Sequence, residues 1–166
     1  MSEVLPVVFR HNLWANQRII EAAEGLSEAV LDSEATGTFG SLRNTLVHLF
    51  ASEERYVSAM TGNPRAAPPL TEGTFPGFEV LKLRALASGE ALIAMAQEVT
   101  DDRIIRGEHP VRGKFAIPVS IFFAQAINHA TEHRGQINTI LTLSKIEPPD
   151  LDVWMYHQAG AAGDKK

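Results

Sequence analysis

The chain contains no cysteine, and that absence removes disulfides, thiolate zinc sites and cysteine nucleophiles together. Positive charge is also scarce: 15 Lys and Arg stand against 20 Asp and Glu, for a net charge of -5. No Lys/Arg cluster offsets this, so a nucleic-acid partner, which needs a basic surface to neutralise phosphates, is excluded from the reading. Apolar runs long enough to span a bilayer are missing. The opening MSEVLPVVFRHNLW has no basic leader followed by a long apolar stretch. No membrane partner is therefore expected, and the cytoplasm is the expected compartment. What remains is 166 residues with 45% hydrophobic and 21% charged side chains, enough for one globular domain over residues 1–166 and too few for two comfortable ones. No internal repeat or coiled-coil heptad is visible.

Helical periodicity recurs along the chain. Leu5, Phe9, Leu13, Ile20 and Ala23 predict a first helix over about 4–24 with Gly25 as its stop. Asn12 and Asn16 lie beside that apolar stripe, one turn apart, and are read as bonding to neighbouring helices or water, or as supporting a polar site in the core; His11 falls on the opposite face and is expected to be solvated. Residues 26–40 form a connection rich in Ser, Thr and Gly. Ser41 is then an N-cap for a second helix over about 42–60, burying Leu42, Leu46, Leu49, Tyr56, Val57 and Met60. The stretch 63–76 holds four of the nine prolines and cannot sustain a helix. A third helix over about 77–100 carries Ser88-Gly89 as a weak point. Residues 101–118 read as a short β-hairpin, and a fourth helix over about 119–144 follows. The tail after Pro148-Pro149 is expected to pack Trp154 and Tyr156 back on the helices, with the closing GAAGDKK fraying. The predicted class is all-α, a four-helix bundle with a short hairpin between helices 3 and 4.

The chemistry concentrates in the fourth helix, in AQAINHATEHRGQINTILTL. His129 and His133 are four residues apart, one turn along one face, so both imidazoles can point at one atom beside the helix. Phe122, Ala126, His133, Ile137, Ile140 and Leu141 share a broad buried arc. At its edge an imidazolium is costly, whereas a neutral imidazole holding a divalent cation is a common arrangement. Bundles assemble metal sites from facing helices. Of the other histidines only His48 lies at the edge of a buried helical face, and its neighbours there, Ser41, Thr45, Ser52 and Ala59, are small enough to leave room beside the ring. His109 falls in the Gly/Pro-broken segment and His157 in the tail. The expected ligands are His48, His129 and His133. Three imidazoles suit zinc, nickel or ferrous iron and leave an open coordination position. The competing reading, a metal-free core in which the histidines only hydrogen-bond, expects His48 to be far from the other two.

HNLWANQRII in the first helix, LRNTLVHLFASEERYVSAMTG in the second, and HATEHRGQINTILTL followed by EPPDLD in the fourth together resemble the DinB-like, or YfiT-type, superfamily of metal-binding helical proteins, which is unrelated to the DNA polymerase of that name. The resemblance spans nearly the whole chain and is most specific in the fourth-helix block. It implies an up-down-down-up bundle, a homodimer, and a zinc or nickel site mapping onto His48, His129 and His133. Some characterised relatives are transferases or isomerases that use thiols such as mycothiol or bacillithiol.

The expectation is a metal-dependent enzyme that uses a small thiol against an electrophilic small molecule, by S-transfer or isomerisation. The alternatives are a hydrolase using metal-bound water and a non-catalytic, metal-stabilised stress-response or binding module. His-x-x-Glu-His also matches the inverted zinc-protease signature, but Glu132 projects about 60 to 100 degrees from the two histidines by the helical period and is read as a supporting contact or a surface ion pair. Arg134 is assigned to packing or a dimer contact.

Overall fold

The computed structural model describes residues 3–109, 111 and 113–163. The described residues form six helices and one two-stranded antiparallel sheet: α1 (Val4–Ala23), α2 (Glu28–Leu31), α3 (Leu42–Thr61), α4 (Phe78–Glu98), β1 (Ile104–His109), β2 (Gly113–Pro118), α5 (Val119–Leu143) and α6 (Val153–Gly163). The four long helices fall within two residues of their predicted bounds, and the hairpin, expected over 101–118, occupies 104–118. Two helices were not expected. α2 is a single turn inside the first connection, capped by Ser27, whose hydroxyl accepts from the Val30 amide at 3.4 Å. α6 takes up the tail and runs through Gly163, where fraying was expected from Gly160; residues 164–166 lie outside the described residues.

Local chemistry sets the element ends. Ser41 caps α3 by accepting from the Asn44 amide at 3.4 Å, and Gly62, at φ +75°, ends that helix in the left-handed conformation that favours glycine. α5 begins after Pro118, which offers no side-chain cap. Asp102 replaces it from across the hairpin, its carboxylate accepting from both the amide and the hydroxyl of Ser120 at 2.9 Å. Start of helix and end of hairpin are thereby locked together.

α1 packs on α4 and α5, and α3 packs on the same two helices. Gly89 is the reason α1 and α4 can approach closely: a Cβ there would stand 2.6 Å from Leu13 Cδ1. The Ser88-Gly89 pair is thus a contact point between helices, and both residues are buried. The apolar core has two parts. One gathers Ile19, Ile20, Leu46, Phe50, Ile137 and Leu141, the other Phe9, Met60, Leu92, Val119 and Phe123. Along α1, α3 and α4 a polar residue lies between the two parts: Asn12 and Asn16 between Phe9 and Ile19, Glu53 between Phe50 and Met60, Ser88 between Ala85 and Leu92.

Two expectations about the surface are corrected. His11 is half-buried, its Nε2 lying 2.7 Å from the Leu151 carbonyl and its ring beside Trp14 and Tyr156, because the tail folds back over α1. Tyr156 packs as expected, whereas Trp154 is 74% exposed; two residues along a helix turn about 200 degrees, so the two rings face opposite ways. No helix among the described residues is long and apolar enough to cross a membrane.

Candidate metal centre

His48 comes from the middle of α3, and His129 and His133 from successive turns of α5, the helix packed against it. Their ring nitrogens converge. His129 Nε2 lies 3.1 Å from His48 Nε2 and 3.2 Å from His133 Nε2, and one ligand atom from each residue falls within 4.8 Å of the other two. Among the described residues this is the one group of His, Asp or Glu that could hold a metal ion. Of the small residues expected beside His48, Ser52 and Ala59 line a cleft together with it, while Ser41 and Thr45 are buried.

The far nitrogens decide what the near ones can do. His48 Nδ1 lies 2.7 Å from Glu72 Oε1, and an ionised carboxylate only accepts, so Nδ1 carries the proton and Nε2 is bare. His133 Nδ1 lies 2.9 Å from Gln136 Oε1, which also accepts from the Phe39 amide at 3.1 Å; that atom is therefore the amide oxygen, and His133 Nε2 is bare as well. Two lone pairs thus face His129 Nε2, which has at most one proton to give. A shared cation satisfies all three, and with His129 in the matching tautomer the donor set is three neutral imidazoles. His129 Nδ1 is buried and has no hydrogen-bond partner among the described residues.

Burial keeps two of the rings neutral. It lowers the His48 pKa against the opposing pull of Glu72 and pushes His129 down to about 4, with His133, His48 and Arg55 adding to the shift. Phe39 stacks on His48 with ring centres 3.7 Å apart and meets His133 edge-on, shielding one side. On the other side a cleft of about 590 Å³ opens beside His48 and His129, walled by Phe115 and Ile117 of the hairpin, Phe122 of α5 and Tyr56 of α3. Tyr56, Val57 and Phe122, expected in the core, are half-buried; Tyr56 and Phe122 face this cleft.

Beneath the histidines lies a second polar cluster. Asn12 and Asn16 each donate from Nδ2 to Glu53 Oε1 at 2.8 Å, and each accepts from Arg134 Nη1 at 2.7 Å. Ser88 donates to the other Glu53 oxygen at 3.0 Å. Glu53 and Arg134 are opposite charges joined through two amides, buried among four helices. Burial raises the Glu53 pKa, while its hydrogen bonds and Arg134 act against the rise; burial also lowers Arg134 to about 10, still protonated at neutral pH. Since Arg134 directly follows His133, the cluster fixes the rotation of α5 that presents the histidines. The role expected of Arg134 in packing is therefore met by hydrogen bonding. Glu132 is exposed and makes no ion pair among the described residues.

Sequence reasoning missed Glu53, Glu72 and Phe39. Glu53 had a signal: it follows Leu46, Leu49 and Phe50 at helical spacing, an acid on an apolar face that demands a partner. Glu72 and Phe39 lie in connections without periodicity and carry none.

Fold and site together define a mostly helical protein whose cross-helix cluster of three histidines could hold a metal ion. The DinB family model matches residues 1–164, and the chain belongs to that family. It is 24% identical to Protein DinB of Bacillus subtilis (strain 168) over 165 residues, covering 94% of this chain and 95% of that protein. Its fold resembles the crystal structure of a DinB-like protein from Bacillus cereus ATCC 10987, with a TM-score of 0.57 and 19% identity over 82% of this chain and 90% of the other.

Proposed function

We propose that the protein is a metal-dependent enzyme in which His48, His129 and His133 hold one divalent cation, zinc or nickel, and that it uses a small thiol against a small electrophile by S-transfer or isomerisation. The carrying observation is the pair of bare Nε2 atoms, on His48 and His133, held toward a common point by acceptors behind them. When bound, a divalent cation there would hold a thiol in its deprotonated, nucleophilic form, a role that a chain without cysteine cannot fill itself. Three protein ligands, with a cleft beside two of them, favour an exchangeable position over a closed structural site. Phe115, Ile117 and Phe122 supply an apolar wall that excludes water from an electrophile. The thiol reading is preferred over the hydrolase because, among the described residues, no Asp or Glu lines the cleft to serve water as a general base.

We also take the four long helices as an up-down-down-up bundle, residues 1–166 as one domain, the active form as a homodimer and its compartment as the cytoplasm. The packing of α1 and α3 each on α4 and α5 supports the bundle; the dimer rests on the family resemblance.

Cobalt(II) replacement tests the open position. Adding a small thiol to the cobalt-loaded protein is expected to produce a near-ultraviolet sulfur-to-metal charge-transfer band, absent in His48→Ala. A cobalt spectrum indifferent to thiols would remove the thiol chemistry and leave the metal-stabilised binding module as the reading.

A further inference from the structure

The cleft beside the histidines has a charge character opposite to that of the chain. The protein carries a net charge of -5, yet no Asp or Glu contributes to the lining of this space among the described residues, while Arg55 does. Arg55 makes no ion pair among the described residues. Its side chain donates from Nη2 to the Ser52 hydroxyl at 2.6 Å, one turn back on α3. Ser52 is 1% exposed, so the contact draws the guanidinium of the exposed Arg55 toward the cleft, and its other donors make no side-chain bond among the described residues. Arg10, Arg18, Arg43 and Arg84 meet carboxylates; Arg65, Arg103 and Arg106, like Arg55, make no ion pair among the described residues, but Arg55 alone of these four lines this cleft.

Opposite Arg55, the cleft is apolar and aromatic. Phe115 and Ile117 come from β2, Ile121 and Phe122 from the first turn of α5, and Tyr56 from α3, its hydroxyl accepting from Gln125 Nε2 at 3.4 Å. A ligand filling this space would need an apolar body for the hairpin side and a negative group for the arginine. Planar guanidinium donors fit a carboxylate with two parallel hydrogen bonds.

We propose that the cleft takes a small amphipathic carboxylate, its apolar or aromatic body against Phe115 and Phe122 and its carboxylate paired with Arg55, so that Arg55 selects the charge class of the molecule brought to the histidines. This deepens the enzymatic reading by naming the substrate class of the same cleft. The pairing itself does not require the metal, which lets the two ideas fail separately.

The test is calorimetric titration with phenylacetate and with its uncharged isostere phenylacetamide, on wild type, Arg55→Gln and Arg55→Lys. Each protein is used metal-loaded and metal-stripped, with metal content per chain measured in every sample. Wild type is expected to bind phenylacetate about ten-fold more tightly than the amide, as fits one charge-assisted pair. That ratio should fall to about one in Arg55→Gln and be partly restored in Arg55→Lys, with metal content and thermal midpoint unchanged in both. A preference that survives Arg55→Gln, equal binding of the two probes by wild type, or no binding of either would overturn the proposal. So would a preference that disappears on metal stripping and persists in Arg55→Gln, since the carboxylate would then sit on the metal. Absence of metal from wild type under loading, with the Arg55-dependent preference intact, would overturn the metal site alone.

Discussion

His48 and His129 belong to different helices, and their Nε2 atoms stand 3.1 Å apart although 81 positions separate them in the chain. Two imidazoles this close hydrogen-bond if one of them carries a proton, but His133 adds a third nitrogen 3.2 Å from the same atom. The protonation pattern imposed from behind by Glu72 and Gln136 leaves more lone pairs than protons at the meeting point, and that imbalance is what a cation resolves.

The outer contacts should therefore tune the site. Glu72→Gln and Gln136→Leu each keep all three histidines but loosen the tautomer and orientation of one ring. Each is expected to weaken metal affinity by about 10- to 100-fold, read by competition with a chelator of known affinity. Unchanged affinity in both variants would show that the rings are oriented by packing, Phe39 included, and not by these bonds.

The buried cluster below should govern stability. Arg134→Met leaves Glu53 among three uncharged donors with its countercharge gone, and breaking a buried charged pair in this way costs about 3–5 kcal/mol. Denaturant unfolding measures it. Replacing both members, Arg134→Met with Glu53→Leu, should recover part of the loss; a double variant as unstable as the sum of the singles would mean the two charges do not act as a pair.

Acid should destabilise the metal-free protein through the histidines. Folded-state pKa values of His48 and His129 lie below the ordinary one, His129 at about 4, while the unfolded chain protonates near about 6.5. The unfolded state thus binds more protons below that pH, so this contribution is complete above about 6.5 and is lost as pH falls toward the folded values. Glu53, with a raised folded pKa, has the opposite sign. The thermal midpoint of the metal-free protein is expected to drop between pH 7.5 and 5.5, and the drop should be smaller in His129→Gln. Equal slopes in the two proteins would refute the assignment.

Much of this site was legible before the fold. The i, i+4 spacing of His129 and His133 sets them on one face of any helix, and the small residues around His48 mark a vacated surface, so these two patterns name the ligand candidates from local geometry alone. What brings the two helices together is not local. Glu53, Asn12, Asn16, Ser88 and Arg134 come from four helices, and Glu72 reaches His48 from a proline-rich connection whose course no periodicity encodes. His11 was misread for the same reason: its partner is the Leu151 carbonyl, 140 positions away.

The central claim is a cation shared by α3 and α5, and elemental analysis of the untagged protein tests it most directly, on wild type and on His48→Ala, His129→Ala and His133→Ala. About one zinc or nickel per chain in wild type, lost in each variant while helical content is kept, is the predicted result. Metal retained at the wild-type level in His48→Ala, or no metal bound by wild type under any loading condition, would contradict the account.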